Sequence, residues 1–91
     1  MWKDRHERLM EMLNDPLIRD ICNGLYEHAL SEDDGAATED LYGKIGVVVS
    51  EALRVSYRLS KEIGLDKISF LSSLNALMDN EDLDYNESVF N

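Results

Sequence analysis

Apolar residues recur at helical spacing through most of this chain, and the clearest run lies in its middle. Leu41, Ile45, Val48, Ala52, Val55, Leu59 and Ile63 follow one another in steps of three or four, which keeps them on one face of a helix with a period of 3.6. Thr38 is placed to cap that helix, and Gly64 followed by Leu65 has the chemistry of a left-handed C-terminal stop. The spacing predicts a helix over about 39–63. Tyr42, Val49 and Leu53 widen its apolar arc to about 160° at 100° per residue, more than one neighbour can cover, so it is expected to be the central helix of the fold.

The segments on either side carry weaker versions of the same signal. Trp2, His6, Leu9 and Leu13 share a face, with Lys3/Glu7 and Asp4/Arg8 as i,i+4 ion pairs outside, and predict a short helix over 2–13. Asn14-Asp15-Pro16 reads as a break and a restart, since Asp15 can cap and proline suits the first helical position. A second helix over 16–30 follows, with Ile18, Ile21/Cys22, Leu25 and Ala29 inward, and it stops at Ser31-Glu32-Asp33-Asp34-Gly35. Asp66 can cap a fourth helix over 67–78, striped by Ile68, Leu71, Leu74 and Met78. Val47-Val48-Val49 is the only hint of a strand, and one strand has no partner here. The reading is all-α: a small four-helix bundle domain over 1–78, followed by an acidic tail over 79–91 that lacks a clear period and is expected to be flexible.

Composition sharpens this picture. With 44% hydrophobic and 31% charged residues in 91, the chain is a single globular domain rather than a disordered or membrane-embedded one. Its small size limits the surface it can bury alone, so a partner or a second copy is a plausible source of further stability. Nineteen acidic residues against nine basic ones give a net charge of −10, a field that repels phosphate backbones and anionic lipid. Direct nucleic-acid and membrane binding are therefore not expected. The acid is concentrated in residues 31–40 and 68–91, neither of which contains a lysine or an arginine. A lone cysteine, Cys22, and an N-terminus that continues into charged residues point to a reducing, cytoplasmic setting.

No catalytic or metal constellation follows from the spacing. His28 lies six positions after Cys22, which turns it about 240° away on the same helix, so the two diverge. Cys22 is expected to be a small buried hydrophobe, His6 a hydrogen-bonded packing residue and His28 exposed and idle. Neither histidine has a glutamate three positions before it, as inward-facing di-metal bundle sites require. Neither acidic segment satisfies the calcium-loop register, and Gly43-Lys44-Ile45-Gly46 is not a phosphate loop. The expectation is a protein without enzymatic activity, cofactor or metal.

Three surface features remain. Arg54, Arg58 and Lys61 form a basic stripe opposite the apolar face, either neutralised by Glu51 and Glu62 or serving as a docking strip for the acidic tail. The tail sets Leu83, Tyr85, Val89 and Phe90 in acidic surroundings, the composition of a segment that steers to a basic surface and then buries a few anchors. Gly43, Gly46 and Ser50 lie beside Tyr57 on one helix flank, where glycine costs about 1 kcal/mol each and a two-fold helix crossing would compensate. The favoured function is a small regulatory or inhibitory protein, in effect a nucleic-acid mimic, that docks on a basic surface of a larger protein through Asp33, Asp34, Glu39, Asp40, Glu81, Asp82, Leu83, Asp84, Tyr85 and Phe90. The alternative is a homo-oligomeric assembly protein joined at the glycine flank.

Overall fold

A computed structural model describes residues 4–90 of the chain, with side chains through Leu83. It is all-α: α1 spans Arg5–Asn14, α2 Pro16–Glu32, α3 Leu41–Glu62 and α4 Lys67–Phe90, with a single 3-10 turn at Asp34–Ala36. There is no strand among the described residues, and no helix is long and apolar enough to cross a membrane. By internal contacts the chain divides at Val55/Ser56, within α3, into two compact units.

Carboxylates set nearly every helix start. Asp4 accepts from the Glu7 amide at 2.8 Å and Asp15 from the Leu17 amide at 2.9 Å, the latter with Pro16 in the first helical turn as the sequence predicts. Asp33 accepts from Gly35 N–H at 2.9 Å and opens the 3-10 turn. Asp40, rather than Thr38, caps α3, accepting from Gly43 N–H at 2.9 Å, while the Thr38 hydroxyl accepts from the Asp40 amide at 3.3 Å and braces the cap. Asp66 caps α4 through Ser69 N–H at 2.7 Å. These caps satisfy amide donors that a helix start leaves orphaned.

The expected C-terminal stop of α3 is present. Gly64 has φ +87°, Leu65 N–H reaches Ser60 O at 2.9 Å and Gly64 N–H reaches Lys61 O at 3.1 Å, the paired bonds of a Schellman motif. The fourth helix departs from expectation, because no break occurs near Asp79-Asn80 and α4 continues to Phe90. Asp84, Tyr85 and Phe90 belong to that extension, and their side chains lie outside the described residues.

The first unit, residues 4–55, is built on α1, α2 and the first part of α3. Arg19 from α2 donates to Leu13 O at 3.0 Å and Asn14 O at 3.2 Å, so it caps the C-terminus of α1. Tyr26 pins the connecting loop, its hydroxyl donating to Thr38 O at 3.2 Å and accepting from Thr38 N–H at 3.1 Å, with Lys44 Nζ above its ring at 5.7 Å. Ala29 and Val48 are buried, and Leu41, Ile45, Ala52 and Val55 are half-buried around them. Ile21, Tyr42, Val49 and Leu53 stay exposed, so the arc that widens the α3 stripe is not covered. Cys22 is half-buried.

The second unit is the end of α3 with α4. Its packing centres on Ser60, buried and donating to Tyr57 O at 2.7 Å, and on Tyr57 and Phe70, whose rings meet edge to face at 5.5 Å. Leu59, Ile63, Ile68, Leu71, Leu77 and Leu83 are all exposed.

Candidate functional site

The first unit buries one carboxylate more deeply than any apolar side chain. Glu51, on α3, is 1% exposed, whereas Ala29 and Val48 retain 8% and 9%. An isolated buried carboxylate is expensive, and Glu51 is held by two cation-forming side chains. One of its oxygens, Oε2, bonds to His28 Nδ1 on α2, and the other, Oε1, lies 3.6 Å from Arg54 Nε one turn along α3. Glu32, at the end of α2, completes the group. Its Oε2 accepts from Arg54 Nη1 at 3.1 Å, and its Oε1 stands 4.0 Å from His28 Nε2. Each carboxylate is thus divided between a guanidinium and an imidazole, and both ring nitrogens of His28 face carboxylate oxygen.

This four-residue network ties α2 to α3 by side chains that are far apart in sequence. It corrects the expectation that His28 is idle, and it answers half of the question about the basic stripe. Arg54 is engaged by Glu51 and Glu32, whereas Lys61, in the second unit, lies 5.6 Å above the Tyr57 ring. His28, Glu32 and Glu51 also bring one nitrogen and two oxygen donors within 4.8 Å of one another, a group that can hold a metal ion. Sequence spacing alone gives the pair His28/Glu32 at i,i+4 but not its third member, which arrives from a helix 19 residues further on. His6 is hydrogen-bonded as expected, to Tyr42 Oη at 3.0 Å, but it is exposed rather than packed.

Two clefts open in the same unit. One, of about 370 Å³, runs between Met10, Leu13, Cys22, Tyr26, Ile45 and Val48. The other, of about 440 Å³, is walled by Glu51 and Arg54 and by the small residues Ala29, Gly43, Gly46 and Ser50. Gly43 and Gly46, grouped by the sequence on one flank, have different surroundings. A Cβ on Gly43 would meet the Thr38 side chain at 3.0–3.1 Å, so a larger residue there would press on the side chain that braces the α3 cap. Nothing lies within 4 Å of a Cβ built on Gly46.

The acidic residues expected to bind a partner fall into two groups. Asp33 and Asp40 already serve as caps but are exposed, as are Asp34 and Glu39 around them. Glu81, Asp82 and Leu83 are exposed on α4. Asp66 is an acid whose titration moves clearly. The Ser69 backbone amide, then the Ser69 side chain, bond to its carboxylate and hold its pKa below the ordinary aspartate value. Comparison with protein-family models, with curated proteins and with solved structures finds no match, so function is inferred from this geometry.

Proposed function

We propose that the protein is a non-catalytic binding module that docks through α4 onto a basic surface flanking an apolar groove of a larger protein. The composition of α4 carries the reading. From Ile68 to Met78 the helix has no charged residue and exposes Ile68 (76%), Leu71, Leu77 and Met78. From Asp79 onward it carries Asp79, Glu81, Asp82, Asp84 and Glu87 with no basic residue, and exposes Leu83 (64%). Carboxylates at a helix C-terminus oppose the macrodipole, and those three residues apart repel one another. A cationic partner surface relieves both penalties while the groove covers the apolar half, a pairing of steering and anchoring that specific interfaces use. The acids of residues 31–40 add to the same long-range field.

Two copies of this chain, each at −10, repel one another, which makes a second copy the less favourable occupant of that face. The lone cysteine suits a reducing cytoplasmic setting. The test is capture from source cells followed by measurement with the purified partner. A basic partner whose association rate falls steeply between low and high salt, and whose binding is lost in Leu71→Glu and in the triple variant Asp79→Asn/Glu81→Gln/Asp82→Asn, supports the proposal. A salt-independent association rate, or binding unaffected by both variants, overturns it.

A further inference from the structure

The cleft of about 370 Å³ walled by α1, α2 and α3 differs in charge from the rest of the chain. Its apolar lining includes Leu13 from α1 with Ile45 and Val48 from α3. Val48 is buried, but Leu13 and Ile45 are only half-buried, so the packing of the unit leaves part of their surface uncovered. Two exposed cations, Arg19 on α2 and Lys44 on α3, also line it, and no aspartate or glutamate is among its described lining residues. In a chain with nineteen acids and a net charge of −10, that is a local reversal of sign. Arg19 directs Nε and Nη2 to the carbonyls of Leu13 and Asn14, and Lys44 Nζ stands 5.7 Å above the Tyr26 ring, so neither positive charge is met by a described carboxylate.

We propose that this cleft binds a small amphipathic carboxylate, with its hydrocarbon part against Leu13, Ile45 and Val48 and its charged end toward Lys44 and Arg19. Small-molecule sites combine mostly apolar walls with a few polar groups that fix orientation, and this lining has that division. The hydrocarbon would cover apolar surface that the unit itself leaves open, and the carboxylate would supply the acceptor that the two cations lack in the described structure. A free phosphate offers the charge without the apolar part, and an uncharged hydrocarbon offers the reverse. Taking about 30 Å³ per non-hydrogen atom, the share of a water in the liquid, the cleft has room for about twelve such atoms, the size of decanoate.

The test titrates the full chain with decanoate below its micelle-forming concentration. Calorimetry should give one molecule per chain. Cys22, half-buried and lining the same cleft, reports occupancy through its alkylation by the uncharged reagent iodoacetamide, which should slow about tenfold when decanoate is at ten times its Kd. Decanol keeps the hydrocarbon and drops the charge, and should bind about tenfold more weakly, the loss of one charge-assisted hydrogen bond. Decyltrimethylammonium is favoured by the net charge of −10 over the surface as a whole, yet should protect Cys22 less than decanoate does. Lys44 is exposed, so Lys44→Gln should keep the fold, as circular dichroism will check. It should lower decanoate affinity about tenfold and leave decanol binding unchanged, a split that a structural role for Lys44 would not produce. Leu71→Glu, which alters the exposed apolar surface of α4, should change neither. Absence of saturable decanoate binding, or binding that leaves Cys22 alkylation unchanged, overturns the proposal. So does equal protection by decanol or decyltrimethylammonium, unaltered decanoate affinity in folded Lys44→Gln, or binding lost in Leu71→Glu.

Discussion

The burial of Glu51 makes a directional prediction about stability that depends on which member of its network is removed. Consider His28→Ala. The substitution strips the Oε2 side of a carboxylate that is 1% exposed, and leaves it with Arg54 Nε at 3.6 Å, longer than a good hydrogen bond. Removing a partner of a buried carboxylate costs about 3–5 kcal/mol, because the remaining charge stays desolvated without compensation. The retained guanidinium places the expected cost near the lower end, about 3 kcal/mol, a large share of the stability of a small domain. Glu51→Met behaves differently. It removes the buried charge and leaves behind His28 and Arg54, whose side chains are 49% and 50% exposed and can be rehydrated. Replacing a buried charge by an apolar group of similar volume is often neutral or stabilising, so this variant should lie within about 1 kcal/mol of wild type. In the double variant the penalty of His28→Ala should vanish, since no buried carboxylate remains to be orphaned. Urea unfolding followed by helical circular dichroism, analysed as a double-mutant cycle, reads all three. If Glu51→Met is as damaging as His28→Ala and the double variant is worse than either, the carboxylate is not the desolvated element described above.

The two glycines of the α3 flank should respond with opposite sign. Gly46→Ala has open space and gains helix propensity, raising stability by about 0.5–1 kcal/mol, whereas Gly43→Ala forces its Cβ against Thr38 and lowers it. If the expected two-fold crossing at this flank exists, Gly46→Ala instead destabilises in a concentration-dependent way, which sedimentation of the variant would reveal. Asp66 sets a pH dependence for α4. Its pKa is lowered in the folded chain, so its stabilisation is complete above the unfolded aspartate value and is lost as pH falls through the lowered native value. Asp66→Asn keeps a capping side chain but should flatten that acid limb, measured by NMR of the Ser69 amide across the acidic range.

Local chemistry made most of the fold legible. The α3 boundaries follow from an unbroken apolar period and from Gly64, whose left-handed backbone only glycine adopts readily, and Asp15-Pro16 fixes the start of α2 by cap and ring geometry alone. The errors also have local causes. Thr38 and Asp40 both suit a cap, and the choice fell to Asp40 because Tyr26, twelve residues away, holds Thr38 in the loop by both of its backbone groups. The continuation of α4 past Asp79 was illegible for a different reason. Its acids are unfavourable at a helix C-terminus, yet residues 79–90 contain neither proline nor glycine to stop the helix.

The charged residues show why a site is harder to read than a fold. A composition of nineteen acids suggests a field and nothing finer, but the structure divides them by task. Asp4, Asp15, Asp33, Asp40 and Asp66 are spent on amide caps, short-range roles that their position before a helix start announces. Glu51 has no such local signature. It sits between the apolar positions Val48 and Ala52, next to the inward stripe, and only the packing of α2 against α3 turns that position into a buried charge paired with His28. An acid adjoining an apolar stripe is therefore the signal that was available, since its helix neighbours already mark it for burial and burial demands a cation from another element. By that criterion Glu51, on the inner side of α3, marks a place in the first unit where an acid is buried against the side chain of a second helix. The acids of α4 from Asp79 onward follow one another in sequence without a lysine or arginine among them, so the same kind of residue that is used locally before a helix start contributes here only to the long-range field.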